Sequence, residues 1–279
     1  MKRLAHKGNT SVDVVFGIAC AMLLSTVAAL ALGAEGNGAE TRNRSLKDAT
    51  SAKLIHQSFC IFANEFDGIF PRPGLMDRLP VEFDGRMQDI PGRGDEDVTQ
   101  NTTANLFSAL ITQNYFNPDL VVSPVERNPK VRKMEDYSWE AYDPAKDTYW
   151  DDDFAADLKT GSNVSYAHMP MFGERGTKQW RTTFDAKWVI LGNRGPLAGE
   201  PDWQSYTCGP HGNWAGNVVF HDNHTEMLDT MTPKQVVYKL EELERPDNIF
   251  AMETGPAGYD VIITFTKKIG KEKLEIQHD

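Results

Sequence analysis

Cysteine is scarce: Cys20, Cys60 and Cys208 are the three present in 279 residues, and no two form a C-x-x-C pair. That excludes a zinc ribbon and a thioredoxin-type redox centre. Positive charge is also in short supply. Against 40 Asp and Glu stand 29 Lys and Arg, giving a formal charge of −11 with no Lys/Arg block in the acidic background. No nucleic-acid partner is expected, because phosphate recognition needs a basic stripe. The G-x-S-x-G elbow, the G-x-x-x-x-G-K-[ST] phosphate loop and a G-x-G-x-x-G opening a helix are all missing. With them go the commonest hydrolase, nucleotide and dinucleotide sites, and no cofactor is expected. No repeat with a period of about 20–50 residues is visible.

A long uncharged run is present. Val14 to Leu32 reads VVFGIACAMLLSTVAALAL. As a helix rising about 1.5 Å per residue it nearly spans a hydrocarbon core of about 30 Å. Lys2, Arg3 and Lys7 precede it, so the positive-inside rule places the N-terminus in the cytoplasm. These residues predict a single-pass protein of the inner (cytoplasmic) membrane, with membrane lipid as a partner and the bulk periplasmic or extracellular. A cleavable signal peptide ending near Ala31-Leu32-Gly33 is the alternative. The run exceeds the usual apolar core of about 7–15 residues, and Asp13 abuts it directly.

After the Gly-containing stretch from Gly33 to Gly38, Leu46, Ile55, Phe59, Phe62 and Phe66 fall mostly at helical spacings, leaving Lys47, Asp48, Lys53 and Asn64 for the surface. This helix should end near Asp67-Gly68, since Pro71 and Pro73 forbid its continuation. The organisation expected is a leader-like basic segment over 1–13, a transmembrane helix over 14–32, its extracytoplasmic continuation over 33–66, and a globular domain over 67–279.

Within that domain, residues 74–100 are rich in Gly, Pro and Asp and read as a long loop. Asn105–Tyr115 is a short helix candidate with Thr102 or Thr103 as its cap. The aromatic and acidic stretch 129–160 reads as an irregular excursion packed by its own rings; Asp151-Asp152-Asp153 lacks EF-hand spacing. Segments near Asn163–His168, Trp188–Leu191 and Asn217–Phe220 are β-prone. Val218–Phe220 and Thr225–Leu228 read as a hairpin turning at Asp222-Asn223. A helix from Thr232-Pro233 to about Leu243 and a last strand over Tyr259–Ile269 complete an α+β pattern.

His211, His221 and His224 lie close together with Asp222 and Glu226 among them. Imidazole and carboxylate are zinc ligands, but the H-E-x-x-H helical arrangement is missing and a hairpin would set His221 and His224 on either side of its turn. No metal is expected. Cys60 and Cys208 are expected as two free thiols, with a disulfide between them as the alternative where their surroundings are oxidising.

Gly8 followed by Asn9-Thr10-Ser11-Val12-Asp13 and the uncharged run resembles the prepilin N-terminus of type IV pilins and type II secretion pseudopilins. There a Gly ends a basic leader and an acidic residue stands fifth in the mature chain, where Asp13 stands here. The family usually has Phe or Met where this chain has Asn9, and Glu where it has Asp13. The passage from Arg42 to Gly74 and the segment HGNWAGNVVFHDNH are similar to pilin-like proteins of bacteria with expanded pseudopilin families. In the latter, His211, Asn217, Val218, Phe220, Asp222 and His224 occupy the matching positions. One extra residue separates His211 from Asp222, and Asn223 replaces the usual Gly. The resemblance covers about 8–75 and 205–230. It implies a pilin-like fold, with the long hydrophobic N-terminal helix packed on a small antiparallel sheet carrying long loop excursions. It implies cleavage and N-methylation between Gly8 and Asn9 by prepilin peptidase. It also implies assembly through Asp13 with other pilin-like subunits or with itself, rather than catalysis. The alternative from another class is a secreted or anchored extracytoplasmic enzyme or ligand-binding domain using His211, His221 and His224.

Overall fold

The computed structural model describes residues 37–76, 80–83, 85–89, 95–143, 146, 148–200, 214–255, 258–271 and 273–278. The chain divides into two compact units, residues 1–46 and 47–279. Of the first, residues 37–46 are described, as the beginning of helix α1 (Asn37–Glu65). There Arg44 and Glu40, one helical turn apart, form an exposed ion pair at 2.5 Å.

In the second unit α1 buries a stripe of five side chains. Asp48, Ala52, Ile55, Phe59 and Phe62 recur every three or four residues, and each is buried. The stripe differs from the expected one at both ends: Asp48, expected at the surface, is 0% exposed, and Phe66, expected in the core, is 48% exposed. The helix stops where expected. Asp67 (φ 53°) and Gly68 (φ 77°) turn left-handed, and Gly68 N donates to Ala63 O at 2.9 Å, satisfying a terminal carbonyl. A side chain at Gly68 would also press on Thr182 Oγ1, 2.9 Å from where its Cβ would stand.

The central sheet has four antiparallel strands in the order β5 (Tyr166–His168), β6 (Val189–Asn193), β7 (Gly216–Phe220) and β8 (Thr225–Leu228). Strands β6 and β7 are buried along their whole length, so the middle of the sheet is covered on both faces. Among the described residues there are also four two-stranded antiparallel sheets: β1 (Pro80–Phe83) with β2 (Arg86–Asp89), β3 (Ala156–Asp157) with β4 (Gly161–Ser162), β9 (Val237–Leu240) with β10 (Leu243–Pro246), and β11 (Phe265–Ile269) with β12 (Lys273–Gln277). The remaining α-helices among the described residues are short: α2 (Pro73–Met76) and α3 (Thr103–Thr112). Helix α3 has the expected threonine cap, with Thr102 Oγ1 accepting from Asn105 N at 3.1 Å.

Two expectations are overturned at this level. The α+β, pilin-like architecture, a long hydrophobic N-terminal helix on one small sheet, gives way to a β-rich fold whose strands are spread over several small antiparallel sheets. Its long helix, α1, carries charged and polar residues on most of its turns. The placement as a single-pass inner-membrane protein with a periplasmic or extracellular body is likewise not supported, since among the described residues no helix is long and apolar enough to cross a membrane. The run Val14–Leu32 lies outside the described residues.

Three further elements differ. The helix expected over 232–243 is the hairpin β9–β10, where Val236, Val237 and Tyr238 favour a strand and Glu241 takes a left-handed φ of 57° at the turn. The last strand expected over 259–269 is confined to Phe265–Ile269 and pairs with β12. The expected loop over 74–100 contains the hairpin β1–β2 and a short 3₁₀ turn at Val98–Gln100, capped by Asp97. The excursion over 129–160 is as irregular as expected: Tyr137 packs edge-on against Trp139 and Phe154, and buried Asp151 accepts from Ser138 N at 2.7 Å and Asp153 N at 3.0 Å.

Candidate functional site

The densest polar constellation on the central sheet is built around Asp48. The register opposes Tyr166 of β5 to Asn193 of β6 and Gly192 to Val218 of β7, so Asn193 stands beside Asn217, whose backbone N it accepts at 2.7 Å. Tyr166, Asn193 and Asn217 thus form a transverse row across three neighbouring strands, all directed at the helix. Asp48 closes on that row. Its Oδ1 accepts from Tyr166 Oη at 2.9 Å and Asn193 Nδ2 at 3.2 Å, and also from Ser123 Oγ. Its Oδ2 accepts from Asn217 Nδ2 at 2.6 Å. Burial, and then the carboxylate of Asp48, hold the Tyr166 phenol well above its usual pKa, so it remains a donor. A buried carboxylate is tolerated only with such a full complement of donors.

A second attachment lies two turns further along α1, about 12 Å at the helical rise. His56 Nδ1 bonds Asn223 Oδ1 at 3.0 Å; an amide oxygen only accepts, so Nδ1 carries the proton. Asn223 is the turn residue of the β7–β8 hairpin and takes a left-handed φ of 67°, as the turn between two such strands requires. One hairpin therefore grips the helix twice, at Asn217 and at Asn223.

The residues singled out in the sequence separate into three groups. Gly8, Asn9, Asp13, Cys208 and His211 lie outside the described residues, as does any pairing of Cys60 with Cys208. Asn217, Phe220, Asp222 and His224 are brought together in the hairpin. There the His224 ring stacks on Phe220 at 4.2 Å with an interplanar angle of 7°. Asp222 Oδ1 accepts from His224 N at 3.1 Å and contacts Nδ1 of the same ring, while Nε2 lies 3.5 Å from Glu226 Oε1. His221 belongs to the core instead, 1% exposed. Its Nδ1 bonds Thr183 Oγ1 at 2.9 Å, its ring packs beside Phe70 and Trp188, and burial, then the nearby His56, push its pKa down to about 3. Cys60 Sγ lies 3.8 Å from His56 Nε2, and burial raises its thiol to about 11. A thiol so rarely ionised is a poor nucleophile. Among the described residues no three His, Cys, Asp or Glu are arranged to hold a metal.

Sequence reading missed Asp48, His56, Ser123, Tyr166 and Asn193. The one available signal was the phase of Asp48, which falls on the apolar stripe four residues before Ala52 and seven before Ile55.

Another buried carboxylate makes a prediction of its own. Asp247 is 0% exposed; its Oδ2 accepts from Val261 N at 2.7 Å and its Oδ1 has no hydrogen-bond partner. Burial pushes its carboxyl up to about 7 against the Val261 bond, with Glu253 and Asp260 adding to the rise. A folded-state pKa above the unfolded value means stability is greatest at acid pH and falls as pH rises towards 7. Asp247→Asn keeps an acceptor for Val261 and is expected to stabilise the protein by about 2–4 kcal/mol at pH 8, and by little at pH 4. Urea denaturation at the two pH values checks this.

No family model, no curated protein and no solved structure matches this chain.

Proposed function

We propose that this chain is a non-catalytic assembling subunit of a pseudopilin or type IV pilin-like fibre, whose partners are other pilin-like subunits or further copies of itself. The observation that carries the reading is the double grip of the β7–β8 hairpin on α1, through Asn217 to Asp48 and through Asn223 to His56. A subunit that assembles through its N-terminal segment transmits force through the helix that follows, and two polar bonds about 12 Å apart resist both sliding and rolling of that helix on its sheet. The resemblance at Gly8, Asp13 and His211–His224 supplies the kind of assembly. Two of the three histidines of the catalytic alternative support the same reading, since His221 serves the core and His224 braces its own turn.

Two measurements test the proposal. The mature chain recovered from cells should begin at Asn9 by mass and N-terminal sequencing, and Asp13→Ala should remove it from any sheared, sedimenting polymer. The side chain at position 13 would set axial register by pairing with a neighbour's amine, and without it the register has no charge partner. A mature chain beginning near Ala34, or Asp13→Ala protein sedimenting like the wild type, overturns the reading.

A further inference from the structure

Beside the C-terminal end of α1 lies a cavity of about 440 Å³. Phe62, Phe66 and Phe70 line it from the helix and the segment that follows, and Tyr142, Tyr149 and Trp150 from the aromatic excursion. Phe62 and Phe66 stack at 4.1 Å, and Phe66 and Tyr142 are 48% and 46% exposed. Two more lining residues, Glu65 and Asp67, are exposed carboxylates, and among the described residues no ion pair neutralises either. Of the cations at hand, Arg72 is itself a lining residue, but its charge is paired. Arg72 bonds Glu96 at 2.9 Å and the Gly176 carbonyl, and Arg181 donates to the backbone carbonyl of Asp67 at 3.4 Å.

We infer that this cavity binds an organic monocation: an alkylated ammonium group on a short apolar body. Ring faces are negative and attract a cation that has shed part of its water, most strongly when several faces converge. The volume lies in the range of small-ligand pockets. The two carboxylates select against anions, and a neutral apolar guest would bury part of them without compensation. The same group can come from a free small molecule or from a basic side chain of a second copy of this chain. The inference is independent of fibre assembly.

The full chain is titrated with choline and with its neutral isostere 3,3-dimethylbutan-1-ol, read by calorimetry and by the emission of the tryptophans. Choline should saturate, and the isostere should bind at least about tenfold more weakly. Phe66→Ala should weaken choline about tenfold, and the Glu65→Gln/Asp67→Asn pair several-fold with a shallower salt dependence. These side chains are exposed, and Asn tolerates the left-handed backbone at position 67, so thermal melts of the variants should match the wild type. Sedimentation velocity separates the sources: choline dissociating a self-associated species identifies a side chain of a second copy, and an unchanged coefficient with saturable binding identifies a small molecule. Absence of saturable choline binding up to about 10 mM, or equal affinity for the isostere or a neutral hexose, overturns the inference.

Discussion

Replacing Asp48 by alanine is expected to destabilise the protein by about 3–5 kcal/mol, the scale on which breaking a buried charged network falls. Four side chains, Ser123, Tyr166, Asn193 and Asn217, donate to this one carboxylate in a fully buried setting. Removing the acceptor leaves those donors facing each other and an apolar gap, and each buried unsatisfied group costs roughly 1–3 kcal/mol. Asp48→Asn keeps the shape but turns one acceptor into a donor. It should cost less, about 2 kcal/mol. Urea melts give the magnitudes. A double-mutant cycle with Asn217→Ala should show the two losses to be strongly non-additive, because both act on the same bond. A loss below about 1 kcal/mol for Asp48→Ala would mean that water replaces the carboxylate and that the grip on α1 is weak. In that case the mechanical argument for an assembling subunit loses its basis, whatever the N-terminus does.

The second large effect is expected with acid. His56, His168 and His221 are buried, and burial is the main cause that holds their pKa values down at about 4, about 4 and about 3. His168 shows why protonation is resisted. Its Nδ1 donates to the Met169 carbonyl at 2.7 Å, so Nε2 accepts from Thr103 Oγ1 at 2.9 Å, and a second ring proton would face that donor. A histidine depressed by folding contributes stability above its unfolded pKa of about 6.5 and loses it as pH falls towards the folded value. Between pH 7 and 5 the three together should remove about 6 kcal/mol, and His278, which burial also holds at about 4, about 2 kcal/mol more. Asp247 changes in the opposite sense over the same interval and restores about 2 kcal/mol. Stability should therefore be nearly level between pH 7 and 8 and drop by roughly 5 kcal/mol at pH 5, a large part of the typical margin of about 5–15 kcal/mol. Denaturation curves at pH 8, 7, 6 and 5 test the shape. An Asp247→Asn background should steepen the decline, since it removes the compensating group.

Local signals in the sequence were read correctly where the structure is local. The end of α1 at Asp67-Gly68, the Thr102 cap, the β7–β8 turn and the irregular excursion each follow from a few adjacent residues whose backbone preferences nothing distant opposes. Where tertiary packing competes with local pattern, the reading failed. Thr232-Pro233 resembles a helix start, yet Val236 and Tyr238 bury their side chains as part of a hairpin. An α+β architecture was expected from one helix followed by short strands; nothing in the strand lengths announces that most of them pair only with a neighbour in two-stranded sheets. The hydrophobic run Val14–Leu32, which carried the membrane expectation, lies outside the described residues, and among those no helix is long and apolar enough to cross a bilayer.

By itself, then, the sequence determined the acidic surface balance, the scarcity of thiol chemistry, and the caps and turns that begin and end individual elements, because each depends on composition or on residues within one turn of each other. The tertiary structure alone decided that Asp48 is the hub of the central sheet. Its donors come from positions 75 to 169 residues away, and an acidic residue among polar neighbours looks like solvent-facing charge until those strands are brought beneath it. The aromatic cavity has the same origin: Phe66 reads as a core residue of the helix and Tyr142 as part of a distant loop, and only folding sets both around one space that Glu65 and Asp67 also line.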